Sequence, residues 1–384
     1  SMINLSRTLV LLALMFFSLS PYAEDNEQPF LVTPTAQFDA PWALEFLPDG
    51  KMLISEMGGT LKLVDQNGVF LHEITGVPDV VFKGQGGMGD IKIHPRFERN
   101  RLVYLSYAEK GENDLLGTAV ARARLVVEDN IGHLERLEVI WRQTKVEGYG
   151  HYGQRIVFGP EGYLWISSGD RQRADPAQDM TSNLGKIVRL NDDGSLPAGN
   201  PFPSSNAVTS QVWSLGHRNP LGLSFDKSGR LWVVEMGPRG GDELNLVRRG
   251  ANYGYPIVSN GSHYSFLPIP DHDTRHEFYP PEITWTPVIS PSSMIVYQGR
   301  EFPEWQQNAL IGGLSSNAIV RVELKGDRAR EVERFEMGER IRAIRQSTDG
   351  VIWVLEDGRP PQFGKGWEQG GGRLLKLTAA TEKN

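Results

Sequence analysis

The chain has 384 residues, 39% of them hydrophobic and 23% charged, with 42 glycines, a formal net charge of −7 and a pI near 5.7. That composition belongs to a turn-rich globular protein, and its acidic balance argues against a nucleic-acid partner, which calls for a basic face. With no cysteine, disulfides, thiolate metal sites and cysteine nucleophiles are excluded, so any metal takes oxygen or imidazole ligands.

The first segment, residues 1–23, carries one basic residue (Arg7), an apolar run from Leu9 to about Leu19 and a small-residue stop near Ala23. This is the layout of a cleaved secretory signal peptide, too short for a membrane-spanning helix. Ser1 ahead of Met2 reads as a cloning remnant. The expectation is an exported, periplasmic protein with no membrane span in its mature form, in which residues 24–384 make a single domain.

From there one pattern recurs: an apolar strand, a turn rich in Pro, Asp and Gly, and a second apolar strand. It appears as WALEFLPDGKMLISEM (42–57), GDIKIHPRFERNRLVYLSY (89–107), GQRIVFGPEGYLWISSG (153–169), LGLSFDKSGRLWVVEM (221–236), SMIVYQGREFPEWQQNALIGGL (293–314) and IRAIRQSTDGVIWVLED (341–357). Period-2 alternation around PDG, PEG, KSG and TDG turns reads as hairpins. Further strands follow most of them, such as TLKLVD (60–65), KIVRLN (186–191) and RLLKLT (373–378). Four-stranded units repeated about six times, with little helical periodicity, predict an all-β fold: a six-bladed β-propeller of antiparallel blades around a central channel. An array of β-sandwiches is the alternative. In a propeller the loops that start the inner strands gather at one channel mouth, so residues distant in sequence can share a site.

Several stretches lie at those inner-strand starts. GQGGMG (84–89) formally matches a dinucleotide fingerprint but runs into a strand, not a helix, so it reads as a tight entry loop presenting Gln85. His151 stands in a Gly/Tyr-rich turn before the third hairpin, either as a satisfied loop histidine or as a general base, and Asp170 closes the same hairpin. GHRNPLG (216–222) puts Arg218 and Asn219 in the equivalent place on the fourth, as channel-mouth donors or as a surface residue and a turn initiator. EMGPRGGDELNLV (235–247) offers Glu235, Asp242, Glu243 and main-chain carbonyls that suit a hard cation, though from the pattern alone ordinary acidic turn residues explain it better. DHDTRHEF (271–278) holds His272 and His276 four apart, a weak transition-metal motif. Arg340 and Arg342 alternate at the start of the sixth hairpin and so share a face, where they fork onto an anionic ligand or make a basic rim. Two longer loops, Arg171–Gly185 and Asn252 to about Pro291, adjoin hairpin ends and are candidates for function.

In order along the chain, GQGGMGDIKIHP, GHYGQRIVFGPEGYLWISSGD, NLGKIVRLNDDGSLPAGNPF, SLGHRNPLGLSFD, EMGPRGGDELNLVRRGANYGYP and RIRAI resemble the soluble quinoprotein aldose dehydrogenases. This is the glucose/sorbosone dehydrogenase family of six-bladed propellers that use pyrroloquinoline quinone (PQQ). The resemblance runs from about Phe30 to Thr378, and within the family the chain is similar to the periplasmic aldose sugar dehydrogenase branch. It implies that Gln85, Arg218, Asn219, Tyr264, Arg340 and Arg342 contact PQQ and that His151 is the general base. It further implies that the carbonyls of Gly237 and Pro238 bind the Ca²⁺ beside the quinone, and that Glu243 and Tyr253 belong to a second Ca²⁺ site.

The implied reaction is oxidation of the C1 hydroxyl of an aldose to a lactone, with Arg218 stabilising charge, Asp170 as a substrate or His-orienting contact, Trp285 as an apolar wall for the sugar, and an unidentified electron acceptor. Two positions depart from the family: Ser315 stands where relatives carry a lysine, and Gly150 precedes the base where relatives carry an acid or amide. Two other readings use the same fold, a Ca²⁺-dependent lactonase-type hydrolase and a non-catalytic binding propeller.

Overall fold

The computed structural model describes residues 28–262, 268–359 and 371–380. Six four-stranded antiparallel sheets follow one another around a ring, the six-bladed propeller that the repeats predict. Five blades are built from consecutive strands; in the sixth, Phe30–Asp39 from the N-terminal end pairs with Gly371–Ala379 and supplies the outer strand. This stitches the two ends of the chain into one sheet and closes the ring.

Each inner strand packs against the inner strand of the next blade. In chain order these strands are Pro41–Phe46, Met88–Ile93, Gly153–Phe158, Asn219–Phe225, Pro291–Val296 and Ile341–Gln346. The second strands MLISE, LWISS, NALIGG and IWVLE are buried at every residue, because each is covered by a neighbouring blade on both faces. They therefore read as continuous apolar runs, whereas a half-exposed sheet alternates. Alternation returns toward the rim, as in the outer strand Ile131–Arg142. The PDG, PEG, KSG and TDG turns each end on a glycine in the left-handed region, Gly50, Gly162, Gly229 and Gly350, with φ between 80° and 89°, a conformation glycine adopts without steric cost.

One irregularity repeats in all six blades. The pairing of every inner strand with its second strand slips near its start: between Pro41 and Ala43, Met88 and Ile91, Gly153 and Ile156, Pro220 and Gly222, Pro291 and Ser293, and Ile341 and Ala343. A bulge takes a residue out of the ladder and re-aims it. Trp42, Leu221, Ser292 and Arg342 are the residues so displaced, and the guanidinium of Arg155, itself in the third blade's bulge, collects their carbonyls. Nε donates to Leu221 O at 2.7 Å, Nη2 to Ser292 O at 2.6 Å and Arg342 O at 2.9 Å, and Nη1 to Trp42 O at 3.5 Å. The guanidinium also lies 3.8 Å from the Trp42 ring centre. One side chain thus ties five blades together and closes the channel below the site.

Among the described residues no helix is long and apolar enough to cross a membrane. The expected signal peptide, residues 1–23, and Tyr264 lie outside the described residues.

Candidate active site

Above Arg155 opens a cavity of about 260 Å³ whose lining includes Gln85, His151, Arg218, Asn219, Arg340 and Arg342. All six blades, or the loops that enter them, contribute to it. Trp42, Leu221, Met236 and Leu314 give it apolar walls.

His151 sits at φ 50°, in the left-handed region that non-glycine residues rarely occupy. Three groups over-determine that turn. Gln85 accepts the His151 N–H at 2.9 Å with its side chain and donates its own N–H to Tyr149 O at 2.8 Å. Arg171, 2% exposed, donates to Gly150 O at 2.9 Å, Gly148 O at 2.6 Å and Leu116 O, and stacks 3.9 Å from the Tyr152 ring centre. Asp170 Oδ1 faces His151 Nδ1 at 2.7 Å. That contact has the geometry of a group that orients the imidazole. An ionised carboxylate there keeps the ring proton on Nδ1 and leaves the Nε2 lone pair for the cavity.

Burial, and next the Arg218 guanidinium, push the His151 pKa below its ordinary value, while Asp170 pulls the other way. The imidazole is therefore neutral at pH 7, the form a general base requires.

Arg218 is fixed through its backbone. Glu235 Oε2 accepts its N–H at 2.7 Å, Glu235 Oε1 takes His217 Nδ1 at 2.9 Å, and His217 Nε2 meets Ser214 Oγ at 2.8 Å. The Arg218 side chain donates to Gly237 O at 2.6 Å. Asn219 Oδ1 accepts the Gly153 N–H at 3.2 Å, holding the third and fourth blades in step at the rim.

On the far wall Arg342 and Arg359 converge on Asp357: Arg342 Nη2 lies 2.8 Å and Arg359 Nη2 2.9 Å from Asp357 Oδ2. Burial pushes the Asp357 carboxyl up, but the two guanidiniums more than offset it and hold it well below the usual carboxylate range. Burial lowers Arg342 to about 10, which leaves it charged. Two guanidiniums share one carboxylate, and the buried Arg340 Nε has no hydrogen-bond partner among the described residues. The wall carries excess positive charge with an unmet donor, as suits an anionic ligand.

The residues fit PQQ in that respect: a planar tricarboxylate would meet Arg340, Arg342 and Arg218. Around Gly237 the acids do not converge on a cation. Asp242 instead accepts the N–H groups of Gly237, Ile289 and Ser290 at 2.8–2.9 Å, and burial raises its pKa to about 6. A Ca²⁺ would rely on the Gly237 and Pro238 carbonyls, the first of them shared with Arg218.

Some sequence-based expectations change. Trp285 is no sugar wall: it is 5% exposed, packs in the core between the fourth and fifth blades, and its indole N–H donates to Glu331 at 2.9 Å. An outer-strand position turns it away from the channel. His272 and His276 do not pair either, for His272 is buried against Glu243 at 3.0 Å and His276 is exposed. No cluster of three or more His, Asp or Glu able to hold a metal occurs among the described residues. Both Glu243 oxygens are engaged, one by His272 and the other by Asn245 at 3.1 Å. The Tyr253 hydroxyl is committed to Leu246 O at 2.6 Å, so a cation at Glu243 would have to displace the imidazole. Arg155, Arg171, Gln172 and Asp357 were not singled out from sequence. The available signal was acidic residues ending second strands, Glu56, Glu235 and Glu356–Asp357, in the place Asp170 holds.

A model of the glucose/sorbosone dehydrogenase family matches residues 38–364. The chain belongs to that family. Membership assigns it to the oxidoreductases that act on sugars. Aldose sugar dehydrogenase YliI of Escherichia coli K12 is 36% identical over 351 residues, covering 89% of this chain and 91% of that one. The apo-form structure of the E. coli soluble aldose sugar dehydrogenase superposes with a TM-score of 0.84 at 36% identity, covering 91% of this chain and all of that one. The PQQ-bound form of the Streptomyces coelicolor aldose sugar dehydrogenase gives 0.75 at 26% identity, covering 91% and 98%.

Proposed function

We propose that this family member is a PQQ- and Ca²⁺-dependent aldose dehydrogenase that oxidises the C1 hydroxyl of a cyclic aldose to the lactone, and that it works in the periplasm after export. The observation that carries this reading is a neutral, Asp-oriented imidazole facing Arg218 in a cavity whose opposite wall holds Arg340 and Arg342.

Gln85, Arg218, Asn219, Arg340 and Arg342 would hold the cofactor, Tyr264 joining them on the family pattern. Bound there, PQQ would supply the acceptor for the hydride leaving C1, and Ca²⁺ at the Gly237 and Pro238 carbonyls the Lewis acid that polarises it. His151 takes the C1 hydroxyl proton on Nε2, and Asp170 stabilises the imidazolium that forms. Arg218, already charged and held by its backbone, stabilises negative charge developing in the cavity without reorganisation. The apolar walls exclude water from that charge. A second Ca²⁺ at Glu243 and Tyr253, which the family pattern implies, would have to displace His272 from Glu243. The electron acceptor that reoxidises the protein is unidentified.

His151→Gln tests this directly. After reconstitution with PQQ and Ca²⁺, dye reduction by glucose should fall about 10²–10⁴-fold, the usual worth of a general base. Turnover equal to the unmodified protein refutes the assignment, and lactone hydrolysis without any quinone makes it a hydrolase instead.

A further inference from the structure

Gly150, the residue before the base, has no side chain, and the structure shows what fills the space. A Cβ on Gly150 would lie 2.5 Å from Gln172 Cδ and 2.6 Å from both its Nε2 and its Oε1. The Gln172 carboxamide therefore occupies the volume in which a side chain at position 150 would begin. Gln172 also lines the cavity with His151 and Arg218.

Its backbone is locked to the catalytic pair: the Gln172 N–H donates at 2.9 Å to Asp170 Oδ1, the oxygen that faces His151. Arg171, next to it, is the guanidinium bonded to the Gly148 and Gly150 carbonyls. Arg171, Gln172 and Ala174 all adopt positive φ, 56°, 61° and 60°. Glycine would take these angles freely, so the side chain at 172 stands on backbone strain of the kind that clusters at functional sites. The carboxamide is exposed and makes no hydrogen bond to any described residue. It has two donors and an acceptor, the complement of a sugar's hydroxyl groups.

We propose that Gln172 is a substrate-binding residue: its carboxamide reaches across Gly150 to grip a ring hydroxyl of the aldose beside His151, supplying from the loop after Asp170 the amide that position 150 lacks. This rests on the sugar-oxidising reading above.

Gln172→Ala should raise KM for glucose about 3- to 10-fold, the worth of a neutral hydrogen bond, with little change in kcat or in the PQQ absorbance titration. Gly150→Ala, which displaces the amide without removing it, should give a smaller rise in KM. Gly150→Asn in the Gln172→Ala background should restore KM by returning an amide from the other side. Saturation-transfer NMR of glucose on cofactor-free protein gives a readout independent of turnover, and its signal should weaken in Gln172→Ala and return in the double variant. A KM and NMR signal unchanged in Gln172→Ala, while the unmodified protein oxidises aldoses, overturn the role of Gln172 alone; so does a KM rise that Gly150→Asn fails to reverse. An unmodified, fully reconstituted protein that oxidises no aldose overturns the sugar reading and this role with it.

Discussion

Replacing Asp170 by Asn removes one charge and almost no volume, and the structure indicates how the new side chain sits. Asp170 Oδ1 faces His151 Nδ1 and accepts the Gln172 N–H, whereas Oδ2 accepts only the Ala174 N–H at 3.2 Å. An Asn keeps two of these three contacts if its carbonyl takes the Oδ1 place and its NH₂ turns to Ala174. The imidazole then keeps its tautomer, and what disappears is the attraction between carboxylate and imidazolium. Charge centres about 4 Å apart interact by about 4 kcal/mol at an effective dielectric of 20. With between half and all of a unit charge on the ring in the transition state, the loss is about 2–4 kcal/mol, or about 30- to 1,000-fold in kcat.

The pH profile separates this from general damage. Asp170 is the group that raises the His151 pKa against burial and Arg218, so without its charge the acid limb of kcat/KM moves to lower pH even as the rate falls. Steady-state dye reduction with glucose between pH 4 and 8, on protein reconstituted with PQQ and Ca²⁺, reads both effects. A rate within about threefold of the unmodified protein, or an acid limb that moves up, refutes the reasoning.

Arg155→Met leaves the carbonyls of Trp42, Leu221, Ser292 and Arg342 without their shared donor. Each buried polar group left unmet costs about 1–3 kcal/mol, so urea denaturation should show a loss of more than about 3 kcal/mol; a loss under 1 kcal/mol would mean the bulges do not need it. Asp357, whose folded pKa is depressed by Arg342 and Arg359, contributes stability above its unfolded pKa of about 3.9 that is lost as pH falls below it. Urea midpoints measured from pH 7 to pH 3 should drop below about pH 4, and Asp357→Asn should flatten that drop while lowering stability at pH 7 by about 3–5 kcal/mol through two uncompensated guanidiniums.

The propeller was legible in the chain because its cause is local. The hairpin of two apolar strands recurs six times, four times around a PDG-type turn, and each left-handed turn glycine, such as Gly50 or Gly229, is demanded by the backbone of its own hairpin. Gln85, His151, Arg218 and Arg342 were legible as well, since inner-strand starts must meet at the channel whatever the details of packing. Arg155 was not, because its partners are carbonyls released by bulges in four other blades, and carbonyls leave no trace in a sequence. Trp285 was misread for the converse reason: its composition suits a sugar wall, and only its place on an outer strand against Glu331 makes it core. Gly150 marks the boundary between the two kinds of knowledge. The sequence by itself determined that a side chain is missing beside His151, and only the fold, by bringing residue 172 over residue 150, decided what occupies that space.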